Sequence, residues 1–382
     1  MDIEVPPKTK LVFFVTEDWY FCSHRLELAI AARERNYEVF VVTRVRNHGQ
    51  RILDAGLHLI PFEMSRRSAN PFSELGVLWR LYQVYRELQP DLVHHVSLKP
   101  VLYGSLVARW LGGIRIVNAM AGLGILFSSR SLKARLMRIP IVATFRLLLN
   151  GTNMRMILQN PDNVSLMTSL GVVRPECVHL VRGAGVDLDH FASSPQPTGT
   201  PKVLLVARML WDKGVGDFVE AARMLKQRGH NAVFLLAGEP DNANPNAIPV
   251  SKLLLWHEAG HISWLGRRED IANLYAECSV ACLPSFYGEG IPKSLLEAAS
   301  VGRPIITTDT PGCREVVENG KNGFLVPARN PYKLAEALER VLADEGLRAR
   351  MGAYSRELAE REFGLATVVE QTIQIYRDLQ AA

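Results

Sequence analysis

Ser285-Phe-Tyr-Gly-Glu-Gly-Ile-Pro-Lys-Ser-Leu-Leu-Glu-Ala-Ala-Ser300 is the stretch on which the reading of this chain turns. It follows the apolar run Val280-Ala-Cys-Leu-Pro284, which reads as a buried strand. The chain then turns through Gly288-Glu289-Gly290 and opens a helix with Pro292 as its first residue. Two glutamates flank that helix start. Glu289 lies in the loop, and Glu297 lies inside the helix, about 7–8 Å down its axis. A loop of backbone N–H groups beside a helix N-terminus suits an anion. Carboxylates above and below it repel that anion and instead accept hydrogen bonds from hydroxyls on either side. An anion between two polyhydroxylated groups describes a nucleotide diphosphate-sugar: ribose, diphosphate, hexose. The competing reading is a surface turn with two solvated glutamates, which G-E-G-I-P and the following L-L-E-A disfavour.

The segment resembles the E-x7-E signature of family 4 retaining glycosyltransferases, which adopt the two-domain GT-B fold. The resemblance implies that Glu289 contacts the donor hexose and Glu297 holds the ribose. Gly290, Ile291 and Pro292 would line the donor between them.

The totals agree with a chain of this kind. Its 382 residues suffice for two domains, and 48% hydrophobic with 22% charged residues is a globular composition. No apolar run reaches membrane-spanning length, and the polar N-terminus lacks a signal-peptide core. Five cysteines without paired spacing point to a reducing compartment, and Cys278-x3-Cys282 reads as packing rather than metal binding. A cytoplasmic location is expected. Charge is unevenly spread: between Asp91 and Asp162 there are nine basic residues and no acidic one. With +5 overall, the remainder is 5 − 9 = −4.

The first half alternates strand and helix. Strands are expected at Leu11–Val15, Tyr37–Thr43, Leu57–Phe62, Leu92–Val96, Arg115–Asn118 and Met154–Leu158. Helices are expected from a Ser23 cap to Asn36, over Pro71–Leu88 and over Val101–Leu111. The pattern stops around Gly183–Phe191, where Pro195, Pro197, Gly199 and Pro201 make a stiff linker. A second alternation follows, with strands at Lys202–Ala207, Ala232–Ala237, His261–Leu265, Val280–Leu283, Pro304–Thr308 and Gly323–Val326. Such alternation implies parallel, doubly wound α/β sheets. The expected architecture is GT-B: two Rossmann-like domains facing each other across a cleft. An acceptor-binding domain would span 1–190, rejoined by a final helix at about 365–382, and a nucleotide-sugar domain 191–364.

Val206-Ala-Arg208-Met-Leu-Trp-Asp-Lys213-Gly214 ends the first strand of the second alternation. Arg208 can grip a diphosphate in bidentate fashion and Lys213 as a point charge, with Gly214 starting a helix. These positions match the diphosphate-binding arginine and lysine of the family. Glu239 ends a further strand on that side, and Arg267 in Leu265-Gly-Arg-Arg-Glu-Asp270 is a candidate for stacking on the nucleobase. The first strand lacks the G-x-G-x-x-G turn of nicotinamide enzymes, reading Thr16-Glu-Asp-Trp-Tyr-Phe-Cys-Ser-His24 instead. Asp18 and His24 are candidates for acceptor contacts, the alternatives being a helix-cap carboxylate and a surface histidine. Lys99 in Ser97-Leu-Lys-Pro100 and Gly122 in Met120-Ala-Gly-Leu-Gly124 end strands on the same rim. Many family members carry a histidine near Ala121, and this chain has none. The S-L-K-P and A-G-L-G-I-L-F pair instead resembles a branch that extends sugars on undecaprenyl diphosphate. Asp187-Leu-Asp189 spells the metal-binding D-x-D of the other glycosyltransferase fold, but its setting matches the interdomain crossing of family 4, so Asp187 reads as structural.

Arg130–Leu149 is basic first and apolar afterwards, a pattern suited to a membrane interface or to a core helix with a solvated basic face. No nucleic-acid recognition motif accompanies the charge. The expected function is metal-independent transfer of a hexose or N-acetylhexosamine, with retention, from a UDP-sugar to a polyprenyl-diphosphate-linked saccharide. No cofactor is expected, and the enzyme would sit peripherally on the inner face of the cell membrane. Alternatives are a soluble family 4 transferase with a small acceptor, a glycosidase with two facing carboxyls, and a nucleotide-binding module without turnover.

Overall fold

The computed structural model describes residues 8–64, 70–122, 132–241, 244–286 and 288–381. These residues form two compact units. One holds the described residues up to Ala184 together with the chain from Val368 on; the other runs Gly185–Thr367.

The first unit is built on strands β1 (Thr9–Glu17), β2 (Tyr37–Arg44), β3 (His58–Pro61), β4 (Leu92–Val96), β5 (Arg115–Met120), β6 (Met154–Leu158) and β7 (Val178–Leu180). All pair in parallel, in the order β3-β2-β1-β4-β5-β6-β7. Chain order therefore reverses between β1 and β4, the switch point at which open α/β sheets place ligands beyond their C-terminal strand ends. β4 is buried throughout although two of its five residues are histidines. His95 meets that cost by hydrogen bonds to Asn118 Oδ1 (2.8 Å) and Tyr85 Oη (3.1 Å). His94 shares its Nδ1 with the Tyr376 hydroxyl on the last helix, Leu365–Ala381. That helix docks further through Tyr37 Oη, which donates to Gln380 Oε1 (2.9 Å), and through Arg115, which donates to the carbonyls of Leu379 and Gln380.

The second unit has β8 (Lys202–Val206), β9 (Val233–Ala237), β10 (Ser263–Trp264), β11 (Val280–Leu283), β12 (Ile305–Thr308) and β13 (Gly323–Val326). These are again parallel, in the order β10-β9-β8-β11-β12-β13, with the reversal between β8 and β11. The central strands read as unbroken apolar runs because the sheet is covered on both faces, and β11 is buried at all four positions. Helix Lys293–Ser300 buries Leu295, Leu296, Ala298 and Ala299 beside it.

Two expectations need correction. Ser23 does not cap a helix: it lies within helix Asp18–His24, and the next helix, Leu26–Glu34, starts after Arg25 with no side-chain cap. Pro292 is the cap of helix Lys293–Ser300 rather than its first residue, since its ψ of 122° is extended. Of the expected Arg130–Leu149 segment, the structure describes a helix over Leu132–Leu148; Arg130 and most of A-G-L-G-I-L-F lie outside the described residues. Among the described residues, no helix is long and apolar enough to cross a membrane.

Candidate active site

In the second unit the turns after β8 and β11 are neighbours because those strands pair across the switch point. They touch backbone to backbone. Gly214 adopts φ +74°, and a Cβ there would overlap the Pro284 carbonyl, so this position requires glycine on two counts. The Phe286 amide donates to the Asp212 carbonyl at 3.0 Å, and Ser285 Oγ lies 3.2 Å from the same oxygen. Lys213 is thereby carried to Glu289. Its ammonium pairs with Glu289 Oε2, while Ser285 Oγ donates to Oε1 at 2.7 Å. The two charged side chains are 14% and 16% exposed, so the carboxylate is held by a cation and a hydroxyl in a largely water-excluded corner.

The chain after β12 seals this arrangement. Thr308 and Thr310 hydroxyls both reach the Ser285 carbonyl, the latter at 3.4 Å. Gly312, at φ +86°, lies so close to the Gly290 carbonyl that a side chain could not be accommodated. Arg208, at the mouth of the β8 turn, pairs with Asp241 beyond β9 at 2.7 Å. Gly290, Ile291 and Pro292 lead from Glu289 into the positive end of helix Lys293–Ser300. Glu297 follows within that helix, 12% exposed, with Lys293 Nζ at 3.8 Å. Burial pushes its carboxyl up to about 7, with Lys293 partly opposing the shift.

The structure thus groups Arg208, Lys213, Gly214, Glu289, Gly290, Ile291, Pro292 and Glu297 around the ends of β8 and β11. Glu239 follows the adjacent β9 and is exposed; its backbone carbonyl accepts from Met209 N at 2.9 Å. Arg267 is 61% exposed, 3.8 Å from Glu269. Ser285, Asp241, Thr308, Thr310 and Gly312 belong to the same neighbourhood and were missed in the sequence. Of these, only the four-residue spacing from Ser285 to Glu289 offered a local signal.

In the first unit, Asp18, His24, Lys99 and Gly122 do follow β1, β4 and β5, three neighbouring strands. Asp18 nevertheless faces inward. It is fully buried, and its carboxylate accepts from the amides of Trp19 (2.7 Å), Arg46 (2.7 Å) and His48 (2.9 Å). The expectation of an acceptor contact there is corrected: Asp18 ties the loop after β2 to the helix after β1. His24 stacks on Tyr20 at 4.2 Å. Lys99 pairs with Glu74 at 3.0 Å, and Gly122 is half-buried after β5. Asp187 Oδ1 accepts from the amides of Asp189 (3.0 Å) and His190 (2.9 Å), a turn-forming role. Among the described residues, no group of three or more histidine, cysteine or acidic side chains is placed to hold a metal ion.

Comparison with known proteins identifies the family. The family described as glycosyl transferases group 1 matches residues 187–358, and that described as glycosyl transferase 4-like matches residues 10–160. The chain is 31% identical to the N,N'-diacetylbacillosaminyl-diphospho-undecaprenol alpha-1,3-N-acetylgalactosaminyltransferase of Campylobacter jejuni, over 86% of this chain and 88% of that protein. It is 25% identical to the Escherichia coli UDP-Gal:alpha-D-GlcNAc-diphosphoundecaprenol alpha-1,3-galactosyltransferase, over 82% of each. Anabaena HepE, crystallised with UDP and glucose, shares its fold at a TM-score of 0.78 and 18% identity, over 97% of this chain and 99% of that one. With both halves matched and a relative of this identity aligned along nearly its whole length, the chain belongs to the group 1 glycosyl transferases and is a glycosyltransferase of GT-B fold.

Proposed function

We propose that this enzyme transfers a hexose or N-acetylhexosamine from a UDP-sugar to a polyprenyl-diphosphate-linked saccharide during cell-surface glycan assembly. The Lys213–Glu289–Ser285 cluster, next to Arg208 and a helix N-terminus, is the observation that carries the reading. An ammonium has three donors. One is committed to Glu289, so the other two can meet diphosphate oxygens while Glu289 keeps lone pairs for the hexose hydroxyls. Arg208 supplies a second cation, and Glu297 accepts from the ribose hydroxyls. The acceptor hydroxyl attacks the anomeric carbon from the leaving-group side, the bond from that carbon to the diphosphate oxygen breaks, and the departing UDP takes the hydroxyl proton. Configuration is retained. Negative charge developing on the diphosphate is met by Arg208, Lys213 and the helix, so the chemistry asks for no metal.

The two diphospho-undecaprenol-directed relatives support a lipid-linked acceptor over a small soluble one. His24, Lys99 and Gly122 would face it from the first unit. Such an acceptor requires contact with the inner face of the cell membrane, and Leu132–Leu148 is the segment we assign to it. The test is transfer of labelled sugar from a panel of nucleotide donors into organic-extractable lipid, with Glu289→Ala as control. Label should enter the lipid phase with wild type alone. Label that stays aqueous while nucleotide is released would refute the lipid acceptor.

A further inference from the structure

Three helices on one side of the first sheet carry apolar residues that point to solvent. In helix Pro71–Leu88, Phe72 (84% exposed), Leu75 and Trp79 lie on one stripe that continues through the half-buried Tyr82. In helix Leu98–Leu111, Leu106 and Trp110 (68% exposed) do the same. In helix Leu132–Leu148, Leu136, Ile139, Pro140, Ala143 and Leu147 are exposed at helical spacing. Its opposite face, through Val142, Phe145 and Leu148, fills the core. The helices are neighbours: the Tyr82 and Trp110 rings lie 4.9 Å apart, and Arg109 Nη1 donates to the Leu148 carbonyl at 3.4 Å. Trp79 stacks on Tyr82 at 5.6 Å, so the stripes of the first two helices join, with helix Leu132–Leu148 alongside them.

We propose that this three-helix face is an anionic bilayer-docking surface that inserts its apolar side chains at the boundary between headgroups and acyl chains. Scattered apolar residues on a surface are ordinary, but a joined, Trp-containing face is not. Charge selects the occupant. The helices Leu98–Leu111 and Leu132–Leu148 contain no acidic residue, Arg109 and Arg138 flank the apolar stripe, and of the two glutamates on Pro71–Leu88, Glu74 is paired with Lys99. Tryptophan and tyrosine favour the interfacial zone, where a ring is half in hydrocarbon and half in water. The inference rests on the membrane reading above and relocates it. Contact is made by an apolar face that includes Phe72, Trp79 and Trp110, and not by basic side chains of the Leu132–Leu148 segment alone. Arg146 indeed turns back to the Leu170 carbonyl at 2.7 Å.

Vesicle sedimentation tests it, using phosphatidylcholine alone and phosphatidylcholine with about one-third phosphatidylglycerol, in parallel with transfer to acceptor in detergent. Wild type should pellet with the anionic vesicles, and acyl-brominated lipid should quench fluorescence that Trp79→Phe/Trp110→Phe loses. Ile139→Asp/Leu147→Asp, at exposed sites, should lower vesicle affinity on the order of a hundredfold with transfer in detergent unchanged. Wild type that ignores both vesicle types, or the aspartate variant pelleting like wild type, overturns the proposal while leaving the transferase reading intact. A dimer in solution that the same substitutions dissolve also overturns it, and gives the face to a second copy of the chain. Loss of transfer in detergent with the aspartate variant would equally contradict a purely docking role.

Discussion

Glu297 provides a prediction in which stability and donor binding pull against each other. In the unfolded chain its carboxyl titrates near 4.5, and in the folded, donor-free chain at about 7, because the side chain is 12% exposed and Lys293, at 3.8 Å, only partly opposes the burial. The folded state therefore keeps a proton that the unfolded state has released. Stability conferred on the folded state falls as pH rises from 4.5 through 7, and the loss is complete above that. The difference of 7 minus 4.5, at about 1.36 kcal/mol per unit, comes to roughly 3 kcal/mol at pH 8. Glu297→Gln keeps the shape and removes the titration. It should match wild type near pH 4.5 and be more stable by about 3 kcal/mol at pH 8, an increase in melting temperature of about 6–12 °C for a unit of this size. Ribose hydroxyls donating to the ionised carboxylate would repay that cost on binding, so UDP should bind wild type with proton release near pH 6.5, and the variant more weakly and without it. Calorimetric unfolding of both proteins from pH 4.5 to 8.5, then titration with UDP in buffers of different ionisation enthalpy, measures each part. A wild-type-minus-variant difference that stays flat with pH would refute the reasoning about burial. UDP affinity unchanged by the substitution would refute the ribose contact.

Three further outcomes follow from the same geometry. Gly214→Ala places a Cβ on the Pro284 carbonyl at a φ of +74° and should cost at least about 2 kcal/mol in denaturant unfolding of the second unit, with loss of UDP binding as the β8 and β11 turns part. Lys213→Ala removes the cation from a mostly buried Glu289 and a donor from the diphosphate; kcat/KM should fall on the order of 10²–10³-fold in the label-transfer assay. Tyr376→Phe strips His94 of its Nδ1 partner when its Nε2 has none among the described residues, and should destabilise the first unit by about 1–3 kcal/mol in thermal unfolding.

The residues explain which parts of this molecule could be read from its sequence. Strands β4, β6, β11 and β13 have the bounds expected: β11 and β13 are short apolar runs ended by Pro284 and Pro327, while β4 and β6 keep enough large apolar residues around His94, His95 and Arg155 to read as strands. β7 escaped notice: its three residues, Val178-His-Leu180, are half-exposed and resemble a loop. Glu289, Glu297 and the turn Arg208–Gly214 could be singled out as candidates because each lies in a recognisable local spacing. Asp241, Thr308, Thr310 and Gly312 were not, because it is the strand order β9-β8-β11-β12 that brings them to the site from distant parts of the chain. Asp18 misled for the opposite reason. A carboxylate just past a strand reads as ligand-facing, and only the loop at Arg46 and His48, folding over it from β2, shows that its oxygens are occupied by backbone amides.

The central claim is that the β8 and β11 turns hold a nucleoside diphosphate between Arg208, Lys213 and the helix at Lys293, with the ribose on Glu297. A crystal structure of the enzyme with UDP tests it most directly. The account predicts phosphate oxygens within hydrogen-bonding distance of Lys213 Nζ and the Arg208 guanidinium, both ribose hydroxyls donating to the Glu297 carboxylate, and Glu289 still paired with Ser285. UDP bound with its diphosphate away from both cations, or with its ribose turned from Glu297, would contradict it.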